Sequence, residues 1–119
     1  MTYLYVAVGG ALGALSRFLT MNLIGANLFP YSTFAVNILG SFLLGAFISY
    51  ESHIYNFSSD TKALVVIGFL GAFTTFSTFS MDTIDLFQKQ EYIKASFYVT
   101  GSLAFSCLGF IIGLWLFKQ

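Results

Sequence analysis

Polar residues punctuate this chain at three places and leave four apolar runs between them, at about residues 3–25, 32–51, 62–87 and 94–117. Each run is close to the roughly 20 residues an α-helix needs to cross about 30 Å of hydrocarbon. The first connection, residues 26–31, is short and carries the only proline, Pro30, so the first two helices are predicted to be antiparallel neighbours. The third connection, residues 88–92, is equally short and predicts a second hairpin. The second connection, from Glu51 to Asp60, is the most polar part of the chain, and Ser58, Ser59 and Asp60 are candidate N-caps for the helix that follows. The expected architecture is an all-α integral membrane protein, a single domain over residues 1–119 with four transmembrane helices.

Composition supports the same solvent. The chain is 57% hydrophobic and only 8% charged, whereas soluble domains carry charge on about a quarter of their residues. The N-terminal run lacks a basic leader and a small-residue cleavage site, so it is read as a retained membrane helix. Cys107, the single cysteine, offers no disulfide and is read as a small packed hydrophobe. His53, the single histidine, falls in the polar connection without a nucleophile or metal partner and reads as a solvated loop residue, which disfavours an intramembrane enzyme.

Charge is balanced across the predicted topology. Lys89 and Lys94 flank the side of the first and third connections, while Lys62 and Lys118 lie on the opposite side. Arg17 falls inside the first span, where a long side chain can snorkel or face a polar vestibule. With no excess of basic residues on either side, insertion in both orientations is expected, although so few charges also split evenly by chance.

Polar groups inside the spans are the candidate chemistry. Residues 71–80, Gly-Ala-Phe-Thr-Thr-Phe-Ser-Thr-Phe-Ser, alternate aromatic rings with small hydroxyl residues where a lipid-facing helix carries leucine. Thr33, Asn37 and Ser41 recur at a spacing of four on the second span, as do Tyr98, Ser102 and Ser106 on the fourth. Such stripes either line a neutral hydrogen-bonding track for an ion that sheds water or act as interhelical glue. Asn37 carries the costliest group to bury, which favours function there. Gly9 with Gly13, and Gly109 with Gly113, form Gly-x-x-x-Gly pairs suited to close helix packing. Gly68 and Gly71 precede the Thr/Ser run, a combination that kinks or unwinds a membrane helix and frees its carbonyls for a cation.

Three segments carry a family resemblance. Residues 9–18 (Gly-Gly-Ala-Leu-Gly-Ala-Leu-Ser-Arg-Phe), 33–42 (Thr-Phe-Ala-Val-Asn-Ile-Leu-Gly-Ser-Phe) and 68–79 (Gly-Phe-Leu-Gly-Ala-Phe-Thr-Thr-Phe-Ser-Thr-Phe) resemble, in order and spacing, the signature segments of the small fluoride channels called Fluc, or CrcB. The resemblance spans essentially the whole chain. It implies a multi-pass protein of the cell inner membrane in which two identical subunits insert in opposite orientations as an antiparallel homodimer. Such a dimer passes fluoride out of the cytoplasm through two pores at its interface.

Carried over position by position, the resemblance implies that Phe76 and Phe79 form a phenylalanine box and that Asn37 and Arg17 lie near the ion path. Thr75, Ser77, Thr78, Ser102 and Ser106 become polar-track candidates, and Tyr98 matches a further pore-associated position. It also implies that helix three is broken near its middle. A structural sodium ion at the dimer centre is then held by the backbone carbonyls of Gly71 and Thr74 in each subunit. No organic cofactor, enzymatic activity or nucleic-acid partner is expected.

The residues themselves explain why such a path would suit fluoride. A phenyl ring has a positive edge, so Phe76 and Phe79 turned edge-on touch an anion without offering a full cationic trap. Hydroxyls and the Asn37 amide replace water one contact at a time, and a tight pore penalises larger chloride. With fifteen phenylalanines in the chain, most, such as Phe105, Phe110 and Phe117, are packing residues. The competing readings are a structural or accessory four-helix subunit and a small proton-coupled multidrug exporter. The exporter needs a titratable carboxylate at the midplane, whereas Asp82, Asp85 and Glu51 lie toward span ends.

Overall fold

The computed structural model describes residues 1–118, which form helices and connections with no strand among them. Helix α1 (Thr2–Ile24) contains no proline and stops at Gly25, whose φ of 79° suits a residue without Cβ and whose N–H returns to the Met21 carbonyl at 3.0 Å. Pro30 stands immediately before α2 (Tyr31–His53), where its missing N–H costs nothing.

The third span, Ser59–Gln88, is a composite. Ser58 caps its short opening turn α3 (Ser59–Lys62), its hydroxyl accepting the Thr61 N–H at 3.2 Å. A π-helical stretch (Ala63–Leu70) follows, then a single turn α4 (Gly71–Phe73) and α5 (Phe76–Gln88). Gln90, at φ 60°, reverses the chain into α6 (Tyr92–Trp115).

All four spans are long and apolar enough to cross a membrane, and the chain is a multi-pass membrane protein. Their order is up and down. Thr2 donates to Asp60 at 3.1 Å, Lys62 pairs with Glu51, and the Tyr50 and Phe117 rings meet edge-on at 5.1 Å. Those contacts gather the N-terminus, the second connection and the C-terminal end on one side. On the other side Phe29, from the first connection, meets Phe97 and Tyr98 of α6 at 5.8 and 5.6 Å.

Two backbone-to-backbone contacts hold the bundle together. Helix α1 lies on the π-helical stretch, where a Cβ on Gly9 or Gly13 would overlap the carbonyls of Leu64 and Phe69. Gly68 returns the fit, since its own Cβ would stand 2.7 Å from the Val6 carbonyl. Helices α2 and α6 meet in the same way through Gly45 and Gly113. Gly109, the other half of the predicted pair on α6, is looser, its Cβ position lying 3.3 Å from the Ile38 carbonyl. In a bilayer this close approach matters because lipid removes the hydrophobic drive between helices and leaves van der Waals packing.

The same packing separates neighbouring glycines. Gly9→Ala should lower stability by about 2 kcal/mol through backbone overlap. Gly10→Ala, with nothing within 4 Å of its Cβ position, should leave stability unchanged or slightly raised. Thermal unfolding of the two purified variants in detergent reads the difference.

Candidate functional site

The third span leaves helical geometry at Thr74 (φ −82°, ψ 156°) and Thr75 (φ −151°, ψ 114°) before α5 begins at Phe76. Two extended residues within a span release N–H and C=O groups that lipid cannot satisfy. One side chain takes both groups of Thr75: Asn37 on α2 accepts the Thr75 N–H at 2.8 Å and donates to the Thr75 carbonyl at 3.1 Å. This is the two-bond pattern one peptide group offers another. Gly40, one helical turn along from Asn37, makes room for it, because the Thr74 methyl group occupies the space a Cβ there would need.

The other released groups are served locally. Both the N–H and the hydroxyl of Thr74 return to the Leu70 carbonyl, at 3.1 and 3.0 Å. The Thr75 hydroxyl caps α5 by accepting the Thr78 N–H at 3.2 Å, donates to the Thr78 hydroxyl at 3.1 Å and lies 3.2 Å from that of Ser77. Arg17 reaches across from α1 and donates to the Thr74 carbonyl at 3.4 Å. The Gly71 carbonyl would ordinarily accept the Thr75 N–H; Asn37 has taken that donor, so Gly71 is left without it.

Beside the interruption lies a cavity of about 350 Å³ between α2, the third span and α6. Asn37, Ser41, Thr75, Phe76, Phe79, Ser102 and Ser106 line it, together with Gly71, Thr74 and Cys107. It therefore gathers two members of each predicted stripe, Asn37 with Ser41 and Ser102 with Ser106, beside Thr75 of the third span, while Thr33 and Tyr98 are buried outside it. Ser102 is 6% exposed, and its hydroxyl has no hydrogen-bond partner. Phe76 is 74% exposed and sits 5.3 Å from the Phe79 ring at 40°. The lining carries no carboxylate or lysine; Leu44, Val66, Leu70 and Leu103 also belong to it, so its polar groups are hydroxyls, backbone and one amide.

Four expected pathway residues stand outside this lining. Ser77 and Thr78 belong to the cap of α5, and Arg17 lies at the Thr74 carbonyl. The Tyr98 ring is fully buried against Phe79, at 5.2 Å, and its hydroxyl donates to Asp82 at 3.0 Å. Asp82 was thus missed as a partner of the tyrosine, as Gly40 was missed beside Asn37. Asp82 follows Phe79 by three positions, on the same face of α5, which is the one sequence signal that points to it.

The backbone carbonyls of Gly71 and Thr74 are the groups that would hold the expected sodium ion, the Thr74 oxygen already accepting from Arg17. Both sit at an interrupted membrane helix, and the Gly71 oxygen has lost its ladder partner, which is the donor type that holds sodium in broken-helix sites. Among the described residues no cluster of three or more His, Cys, Asp or Glu side chains offers another metal site.

Comparison with known proteins places the sequence in one family. Residues 4–114 match the family described as "CrcB-like protein, Camphor Resistance (CrcB)". Over 122 residues the chain is 38% identical to a protein of Allorhizobium ampelinum named "Fluoride-specific ion channel FluC", covering 96% of this chain and 97% of that one. Proteins of the same name from Agrobacterium fabrum and Hahella chejuensis are 42% and 45% identical over 113 and 103 residues. Those alignments cover 92% and 83% of this chain and 90% and 80% of the respective relatives.

The Asn37 brace has a direct test. Asn37→Ala removes two hydrogen bonds and leaves both Thr75 groups unserved, a loss of about 3 kcal/mol. Hydrogen exchange at the Thr75 amide should rise by about two orders of magnitude. Ser41→Ala, one turn away on the same face, should leave that amide protected.

Proposed function

The chain belongs to the CrcB-like family, and from that premise we propose that it is a fluoride-selective channel that lets the ion leave the cytoplasm passively. The observation that carries this reading is the meeting of Phe76 and Phe79 with the uncharged donors Asn37, Ser102 and Ser106 around one cavity. A small anion with a tightly held hydration shell needs many short contacts to give up its water, and none strong enough to trap it. The ring edges supply partial positive charge and the hydroxyls and amide supply hydrogen bonds. The unpartnered Ser102 hydroxyl is free to donate to a passing ion.

A second, inverted copy completes the path in this reading. Phe76, Ser77 and Ser80 are exposed together on the third span, the Ser80 hydroxyl donating to the Phe76 carbonyl at 3.0 Å and the Ser77 hydroxyl lying 3.2 Å from that of Thr75. An antiparallel homodimer covers that face, and the even division of lysines between the two sides is compatible with insertion both ways. The backbone carbonyls of Gly71 and Thr74 in both copies would hold a sodium ion, whose positive charge would help tie the copies together.

The accessory-subunit reading explains the glycine packing equally well but assigns no purpose to the meeting of Asn37, Ser102, Ser106, Phe76 and Phe79 around one cavity. An exporter needs a carboxylate at the midplane, whereas Asp82, which accepts from the Tyr98 hydroxyl, lies toward the end of the third span.

The purified protein in liposomes should release fluoride and retain chloride, as read with ion-selective electrodes. Phe76→Ile and Phe79→Ile preserve bulk and hydrophobicity while removing the ring edge, so the variants should assemble normally and lose fluoride efflux by at least about tenfold. Phe105→Ile, at a ring that packs edge-on against Phe34 at 6.0 Å, should leave efflux nearly intact. Normal efflux from both the Phe76 and Phe79 variants would move the path elsewhere.

A further inference from the structure

Arg17 is the only arginine of the chain and the only basic residue well inside a span, yet it stands apart from the cavity of the pathway. Its guanidinium is directed at the interrupted turn, where Nη1 donates to the Thr74 carbonyl at 3.4 Å. That carbonyl is one of the two per chain that the sodium reading uses. A cation and a guanidinium cannot both sit close to one oxygen in a poorly screened environment, because like charges a few ångströms apart repel strongly where water is scarce. The hydrogen bond is also long for an N–H donor to a carbonyl, so it is a contact that a better-placed cation can displace.

From this geometry we infer that Arg17 is a built-in competitor for the Thr74 carbonyl: it caps that oxygen when sodium is absent and is driven off it when sodium binds. The inference rests on the sodium reading above and adds a regulatory residue to it. Arg17 keeps the interrupted turn satisfied in the sodium-free chain, completing what Asn37 does for Thr75. It also holds sodium affinity down, so that assembly responds to the sodium concentration. Linkage makes the competition reciprocal: whatever Arg17 takes from sodium affinity, sodium takes from the Arg17 contact.

Two measurements on the purified full-length protein test this without relying on fluoride flux. In the first, the thermal stability of the dimer is titrated with sodium against N-methylglucamine at constant ionic strength. Arg17→Gln should shift the sodium midpoint to a concentration roughly fivefold or more lower than in the wild type. A residue that merely packed the helices would shift it the other way or leave it in place. The second measurement needs no variant. Phenylglyoxal modifies guanidinium groups, and peptide mapping that locates the adduct on Arg17, apart from any on the α-amino group, reports this residue; sodium should speed that modification.

A wild-type dimer that sodium stabilises, combined with an unmoved Arg17→Gln midpoint or with modification that sodium leaves unchanged or slows, would overturn the competition and leave the sodium site standing. A wild-type dimer indifferent to sodium would overturn both.

Discussion

A membrane helix that opens at hydrocarbon depth must find new partners for the backbone groups it releases, and in this protein one side chain meets that demand. Asn37 accepts from and donates to Thr75, replacing a lost turn of helix with two side-chain hydrogen bonds. Its two bonds bind α2 to the third span where that span is weakest. They also fix the direction of Thr75, and through the Thr75 hydroxyl the start of α5, which carries Phe76 and Phe79. An amide suits this task better than a carboxylate or a hydroxyl, since only it offers one acceptor and one donor at the spacing of a peptide.

The rest of the bundle brings these elements within reach. Gly40 lets Thr74 approach α2, while Gly9, Gly13 and Gly68 press α1 onto the π-helical stretch and so deliver Arg17 to the Thr74 carbonyl. The price of the open turn is a Gly71 carbonyl without its ladder N–H. In the proposed function the same defect is useful, because an oxygen with nothing to accept is what a cation at a dimer axis requires. A cavity lined by neutral donors beside it serves the opposite sign of charge.

Much of this architecture is legible in the order of the residues. The four spans follow from length and polarity, their observed ends differ from expectation by a few residues, and Ser58, one of the three expected cap residues, caps the third. Spacing places Asn37 with Ser41 and Ser102 with Ser106, and both pairs line one cavity. What periodicity gives is a face, not a partner. It does not say that Asn37 serves backbone, that Tyr98 turns to Asp82, or that Arg17 finds Thr74. The π-helical stretch leaves no trace in its residues, which read as an ordinary apolar helix; Gly9 and Gly13 of α1 pack directly on its backbone. Gly109 and Gly113 look equivalent in sequence, and only the crossing of α2 over α6 makes one tight and the other loose.

The central claim is that the polar, aromatic face left open on the third span is closed by a second copy of the same chain lying the other way up. Orientation can be measured directly by placing a single cysteine at the N-terminus, in a chain whose Cys107 is replaced by serine, and labelling intact membranes with a thiol reagent that cannot cross them. The account predicts that about half of the molecules label from each side in a preparation that conducts fluoride. Labelling of every molecule from one side only, in a fully active preparation, would contradict it.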